Sequence, residues 1–194
     1  MRIAVYGATG MIGSRVAAEA LSRGHEVTGI TRSGGAVEGA KVEQGDAADP
    51  ALAARIADEH DVVVASIPPG ELQRRIENLA ANLGGKRFLM VGGAGSLLVG
   101  GERLVDSPDF PAAWKPGALE TAEVLEYLRT LPDDVDWTYL SPAPMIGPGE
   151  RTGRYQVADD TPAGDSVSAE DYAVALVDEL ERPAHRRTRF TVGS

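Results

Sequence analysis

The residues best placed to do chemistry lie in IAVYGATGMIGSRVAAEAL, where Gly7, Gly10 and Gly13 follow G-x-x-G-x-x-G spacing between a β-branched run and an alanine-rich amphipathic one. A first glycine permits a tight strand-to-helix turn, a second lets the backbone approach a diphosphate, and a third lets the helix pack closely on the sheet. Amide groups that open a helix have no internal partner, so Thr9, Met11 and Ile12 would offer backbone N–H to the same phosphates. The alternative is a glycine-rich turn with no ligand, and the strand before and helix after argue against it. A triphosphate-binding loop does not fit, because Ile12 stands where that motif needs its second glycine and no lysine follows.

A second cluster sets the kind of dinucleotide. Sites for NAD carry an acid at the end of the second strand to hold the ribose 2'-hydroxyl, whereas this chain reads Thr31-Arg32-Ser33 there. An arginine pairs bidentately with a 2'-phosphate and stacks on adenine, so Arg32 with Ser33 predicts NADP, with NADPH preferred over NADH. A solvated surface arginine is the plainer alternative. Asp46, after the third strand, could accept from the adenine amino group or cap a turn.

These groups need a scaffold, and the pattern supplies one. Strands are expected at 2–6, 26–31, 41–44, 61–66, 88–91, 137–140 and 190–192, the Val62-Val63-Val64 centre suiting a strand buried on both faces. Helices are expected at 11–23, from about Pro50, over the Leu72, Ile76, Leu79 and Leu83 face, at 119–131, and at 169–180 with Ser168 as N-cap. Alternation of this kind predicts an α/β, three-layer Rossmann fold with a mostly parallel, doubly wound sheet, in one domain over 1–194. Two Gly- and Pro-rich stretches, 92–116 and 141–167, follow strands and are expected to wall a substrate site outside the strand ends.

Composition excludes other classes. A formal net charge of −10 repels nucleic acid, and the basic run Arg182–Arg189 is expected to be a solvated face before a final edge strand. No cysteine is present, which removes disulfides and thiolate sites and fits a cytoplasmic protein. His25, His60 and His185 are scattered and His25-Glu26 does not continue as a zinc motif, so no metal is expected. Ser96 sits in GAGSL, which is not a nucleophile elbow. The apolar run after Met1-Arg2 is broken by glycines, so no signal peptide is expected, and no run approaches the roughly 20 residues that span a bilayer.

The motifs together resemble the atypical short-chain dehydrogenase/reductases, especially NADH-flavin reductases and biliverdin reductase B-like proteins, with NmrA-like sensors more distant. The resemblance covers nearly the whole chain and rests on GATGMIG, ITR, GD, SIPPG, VGGAGSL, LSPAPMIGPGERTGRY and SAEDYAVALVDEL. It implies that Ile67 and Pro68 touch the adenosine half of the cofactor and that Gly92, Gly93 and Pro142 lie near the nicotinamide. Prototypical members use a tyrosine with a lysine one helical turn on, but Tyr6, Tyr127, Tyr139, Tyr155 and Tyr172 are followed at that spacing by Gly10, Leu131, Ala143, Asp159 and Leu176. Ser96, Lys115 and Tyr155 are the remaining catalytic candidates, with plainer roles as a turn residue or loop charge open for the first two. Ala143-Pro144-Met145 stands where the biliverdin reductase B pattern has a histidine.

Hydride transfer to a planar acceptor needs stacking more than a dedicated acid. The expected activity is therefore NAD(P)H-dependent reduction of a flavin, quinone or similar acceptor, with FMN or FAD as possible substrates. The alternative is a non-catalytic NADP-binding sensor resembling the NmrA-like proteins. Monomer and homodimer are both open.

Overall fold

A strand whose every side chain is buried needs a helical layer on each face, and the computed structural model, which describes residues 1–194, has both. The first half comprises β1 (Arg2–Tyr6), α1 (Met11–Ser22), β2 (Glu26–Thr31), β3 (Lys41–Gln44), α2 (Pro50–Glu59), β4 (Val62–Ala65), α3 (Leu72–Ala81) and β5 (Arg87–Val91). The second comprises β6 (Leu98–Val99), β7 (Glu102–Arg103), a 3-10 turn at Leu104–Asp106, α4 (Lys115–Arg129), β8 (Trp137–Pro142), β9 (Met145–Gly147), β10 (Gln156–Ala158), β11 (Ser166–Ser168), α5 (Ala169–Glu181) and β12 (Thr188–Gly193).

The eight-stranded sheet has the order β10-β12-β8-β5-β4-β1-β2-β3, parallel throughout except where β10 pairs antiparallel with β12. The chain winds outward from β1 in one direction through β2 and β3, then returns to β4 and winds the other way. This is the doubly wound Rossmann arrangement, and it opens a crevice beyond the carboxyl end of β1. Alternate residues of each strand serve opposite layers. Ile3, Val5 and Val64 pack with Val16, Tyr172 and Leu176 under α1 and α5. Ala4, Tyr6 and Val63 pack with Ile56, Ile76, Leu125 and Trp137 under α2, α3 and α4.

The helices start where their chemistry allows. Asp49 caps α2 by accepting from Ala51 N–H at 2.9 Å and Leu52 N–H at 3.2 Å, with Pro50 as the first helical residue. Ser168 caps α5 by accepting from Asp171 N–H at 3.0 Å. α4 begins at Lys115 rather than at 119, because Pro116 is tolerated in a first turn that needs no internal N–H.

Two further expectations are corrected. The long stretches are not structureless, since β6 and β7 form a small antiparallel pair and β9 and β11 a parallel one. Nor is β12 an edge, because β10 covers it, and the basic run before and into it is a solvated face only in part, with Arg182 and Arg186 exposed. Arg186 pairs with Asp136, Arg187 donates to the carbonyls of Leu131 and Val135 at 2.9 Å each, and Arg189 is buried against Asp160 and Ser96.

Candidate functional site

Five adjacent strands end on one cleft. The residue after each strand, Gly7, Arg32, Gly45, Ser66 and Gly92, lines a cavity of about 800 Å³. The turn and helix start from Thr9 to Ile12 also line it, as do Ser33, Asp46, Ile67 and Pro68. Gly13 does not line it. A Cβ there would collide with the Gly7 carbonyl, so Gly13 acts by letting α1 approach the turn. Gly7 itself has φ +77° and faces the Ser66 carbonyl, which leaves no space for a side chain.

The cleft suits a diphosphate. Unlike α2 and α5, α1 has no side-chain cap, and its first turn carries no acid. Its first internal bond is donated by Ser14 N–H to Gly10 at 3.0 Å, so the amides of Met11, Ile12 and Gly13 have no protein acceptor. An anion is what such a helix end accommodates. The buried Tyr6 hydroxyl and Thr31 Oγ1, both on residues of this cleft, also have no partner within the chain. A polar ligand fits those orphaned groups.

Arg32 is exposed and its guanidinium meets no carboxylate of the protein, while its carbonyl accepts from Gln44 Nε2 at 3.0 Å. Asp46 both caps a turn, accepting from Ala48 N–H at 2.9 Å, and pairs with Arg75 Nε at 3.0 Å. The Arg75 guanidinium and the Ala48 amide hold its carboxyl below the usual range, so it stays charged as an acceptor. Arg75 is a buried cation of the cleft that sequence reasoning missed. In LQRRIENLAA it reads as a helix-surface charge beside the Leu72 and Ile76 stripe, and only the fold brings Asp46 to it.

A second cavity of about 670 Å³ adjoins the first and shares Pro69, Gly92 and Thr121 with it. Gly93 and Pro142 lie here, and the two long loops supply Phe110 and Trp114 from one side and Met145 from the other. The loop after β5 is pinned from β8. Tyr139 hydroxyl accepts from Gly93 N–H and donates to the Thr121 carbonyl, both at 3.0 Å, while Ser141 Oγ donates to the Gly93 carbonyl at 3.0 Å. Burial pushes the Tyr139 phenol up to about 12, so at neutral pH it is a fixed hydrogen-bonding bracket.

The catalytic candidates are not brought to this site, which corrects the expectation for each. Ser96 Oγ accepts from buried Arg189 Nη1 at 2.9 Å and lines neither cavity. Lys115 opens α4 between Trp114 and Gly117, yet does not itself face the pocket that they line. Tyr155 donates to Asp178 at 2.5 Å, and burial raises its pKa far from the range of a proton donor. The segment that carries it is an anchored strap. Gly149 N–H bonds Glu170 at 2.7 Å, Arg151 bonds Glu19 at 2.7 Å, and Thr152 N–H bonds Asp171 at 2.9 Å.

Comparisons with known proteins agree with this geometry. A family model described as NAD(P)H-binding matches residues 7–183. The uncharacterized protein YwnB of Bacillus subtilis is 38% identical in an alignment covering 100% of this chain and 99% of the relative. A Streptococcus pneumoniae structure described as a "putative NADH-flavin reductase" is 35% identical, with TM-score 0.90 over 99% of this chain and 98% of its own. A Burkholderia pseudomallei structure described as a "Putative exported protein" is 40% identical, with TM-score 0.89 over 100% of both chains. No helix here is long and apolar enough to cross a membrane.

Proposed function

Since the chain belongs to the NAD(P)H-binding family, we propose that it is an NADPH-dependent reductase that passes hydride to a planar acceptor, a flavin or a quinone. The observation that carries this reading is the continuity of the two cavities. A cleft suited to a dinucleotide opens, across Pro69, Gly92 and Thr121, into a mostly apolar pocket built from the two long loops. The bound nicotinamide supplies a hydride to whatever stacks on it.

The remaining roles belong to the chain. Gly7, Gly10 and the Thr9, Met11 and Ile12 backbone hold the diphosphate, with Gly13 letting α1 come close. Arg32 and Ser33 take the 2'-phosphate, Asp46 the adenine amino group, and Ile67 and Pro68 pack on the adenosine. Gly92, Gly93 and Pro142 flank the nicotinamide, and Phe110, Trp114 and Met145 give the acceptor apolar surface. With Tyr139 fixed between two backbones, the proton that completes reduction comes from solvent. One nucleotide-binding unit over 1–194, placed in the cytoplasm, belongs to the same proposal.

The test is NADPH oxidation followed at 340 nm with a flavin or a naphthoquinone added. Sustained acceptor-dependent turnover is expected. Tight NADPH binding with no turnover on any such acceptor would instead favour a sensor that reports cofactor occupancy to a partner.

A further inference from the structure

The acceptor pocket carries a charge signature of its own, and its consequence rests on the reductase reading above. Its lining is Gly, Ala, Pro and apolar side chains with Ser107 and Thr121, and Asp109 is the one charged residue among them. No basic side chain of the neighbouring segments lines it. Arg103 pairs with Asp106 at 2.7 Å, Arg189 with Asp160, and Lys115 stands outside the lining. α4 starts at this pocket, but Pro116 in its first turn has no N–H to donate, so this helix end offers an anion less than α1 does. The whole chain adds a net charge of −10, and the cofactor phosphates would add more.

We propose that the pocket selects an uncharged planar acceptor, a quinone or a phosphate-free isoalloxazine, and disfavours acceptors that carry phosphate, sulfonate or carboxylate. Phe110 and Trp114 give such a ring aromatic surface, and Met145, 71% exposed at the rim, gives it a mobile apolar cover. A phosphorylated flavin would bring about two negative charges to a pocket whose fixed charge has the same sign. The chemistry balances with the components named. The acceptor gains a hydride and one proton from water, the nicotinamide loses two electrons, and a hydroquinone or dihydroflavin leaves.

Pairs that differ by one anionic group test this: riboflavin against FMN, and 2-methyl-1,4-naphthoquinone against its 3-sulfonate, each with saturating NADPH. The uncharged member of each pair is expected to have a kcat/KM at least about tenfold higher at low salt, the scale of one or two like-charge repulsions across a partly solvated pocket. That ratio should shrink as ionic strength rises, whereas steric exclusion of a side arm would be indifferent to salt. Asp109→Lys should move both ratios toward or past unity; Asp109 is exposed, so the fold tolerates the change. Equal or better turnover of FMN and the sulfonate at low salt overturns the charge selection while leaving the reductase intact. Failure of all four acceptors removes the reductase reading and this inference with it.

Discussion

Arg32 stands at the mouth of the nucleotide cleft with no carboxylate to neutralise it, at the strand end where an acid would have held a ribose hydroxyl. A charge-assisted pair there contributes about 1.5–3 kcal/mol, which is roughly one to two orders of magnitude in affinity. Arg32→Ala is therefore expected to raise the Kd for NADPH by about tenfold to a hundredfold while moving that for NADH by less than about threefold. Titration calorimetry with both nucleotides decides it, and parallel losses would remove Arg32 from cofactor choice. At this scale the glycine turn, and the place of Arg32 at the end of β2, were legible because both are local. Ser96 and Tyr155 were not, because what engages them is remote in sequence: Arg189 lies 93 residues from Ser96, and Asp178 lies 23 from Tyr155. A polar residue in a long loop looks available until its partner is placed beside it.

Among elements, β8 does more than fill the sheet. Through Tyr139 and Ser141 it holds the N–H and the carbonyl of Gly93, and through Tyr139 it ties that loop to α4 at Thr121. The clamp sets the distance between two walls of the acceptor pocket. Tyr139→Phe keeps the ring and leaves the part-buried Gly93 amide without its partner, which costs about 1–3 kcal/mol. The expected result is a lower Tm together with a higher KM for the acceptor, while Kd for NADPH changes little. If only Tm falls and the acceptor KM holds, Tyr139 supports the fold without positioning the pocket. The layer order and most strands were readable from β-branched runs, α2 from its opening Pro50 and α5 from its Ser168 cap. The start of α4 and the β6–β7 and β9–β11 pairs were not, since strands of two or three residues show no period and a proline-containing first turn looks like loop.

Across the whole molecule, the strap from Gly149 to Tyr155 is fastened to α1 and α5 by carboxylates, and α1 is the helix whose start lines the large cleft. Glu19 bonds Arg151 and Arg23, Glu170 bonds Arg15 and Gly149, and Asp178 bonds Tyr155 and Arg23. The Arg151 guanidinium outweighs burial and, with Arg23, holds Glu19 below its ordinary value. Burial opposes ionisation of Asp178 and Glu170, yet the bonds from Tyr155 and Arg23, and from Arg15 and Gly149, still lower both. Groups depressed in the folded state give stability that is fully present above their unfolded pKa and is lost as pH falls through the folded value. The urea midpoint is thus expected to be flat from pH 7 to about 5 and to fall below about pH 4.5, where unfolded carboxylates begin to protonate first. Glu19→Gln isolates one fastening. At pH 7 it should unfold at lower urea, because buried Glu19 serves two arginines, and toward pH 3 its curve should approach that of the parent, because the stability from a depressed carboxylate is lost as pH falls below its unfolded value toward its folded one. An unchanged gap between the two curves from pH 7 to pH 3 would mean that the substitution disturbs packing and that the ion pairs contribute nothing titratable.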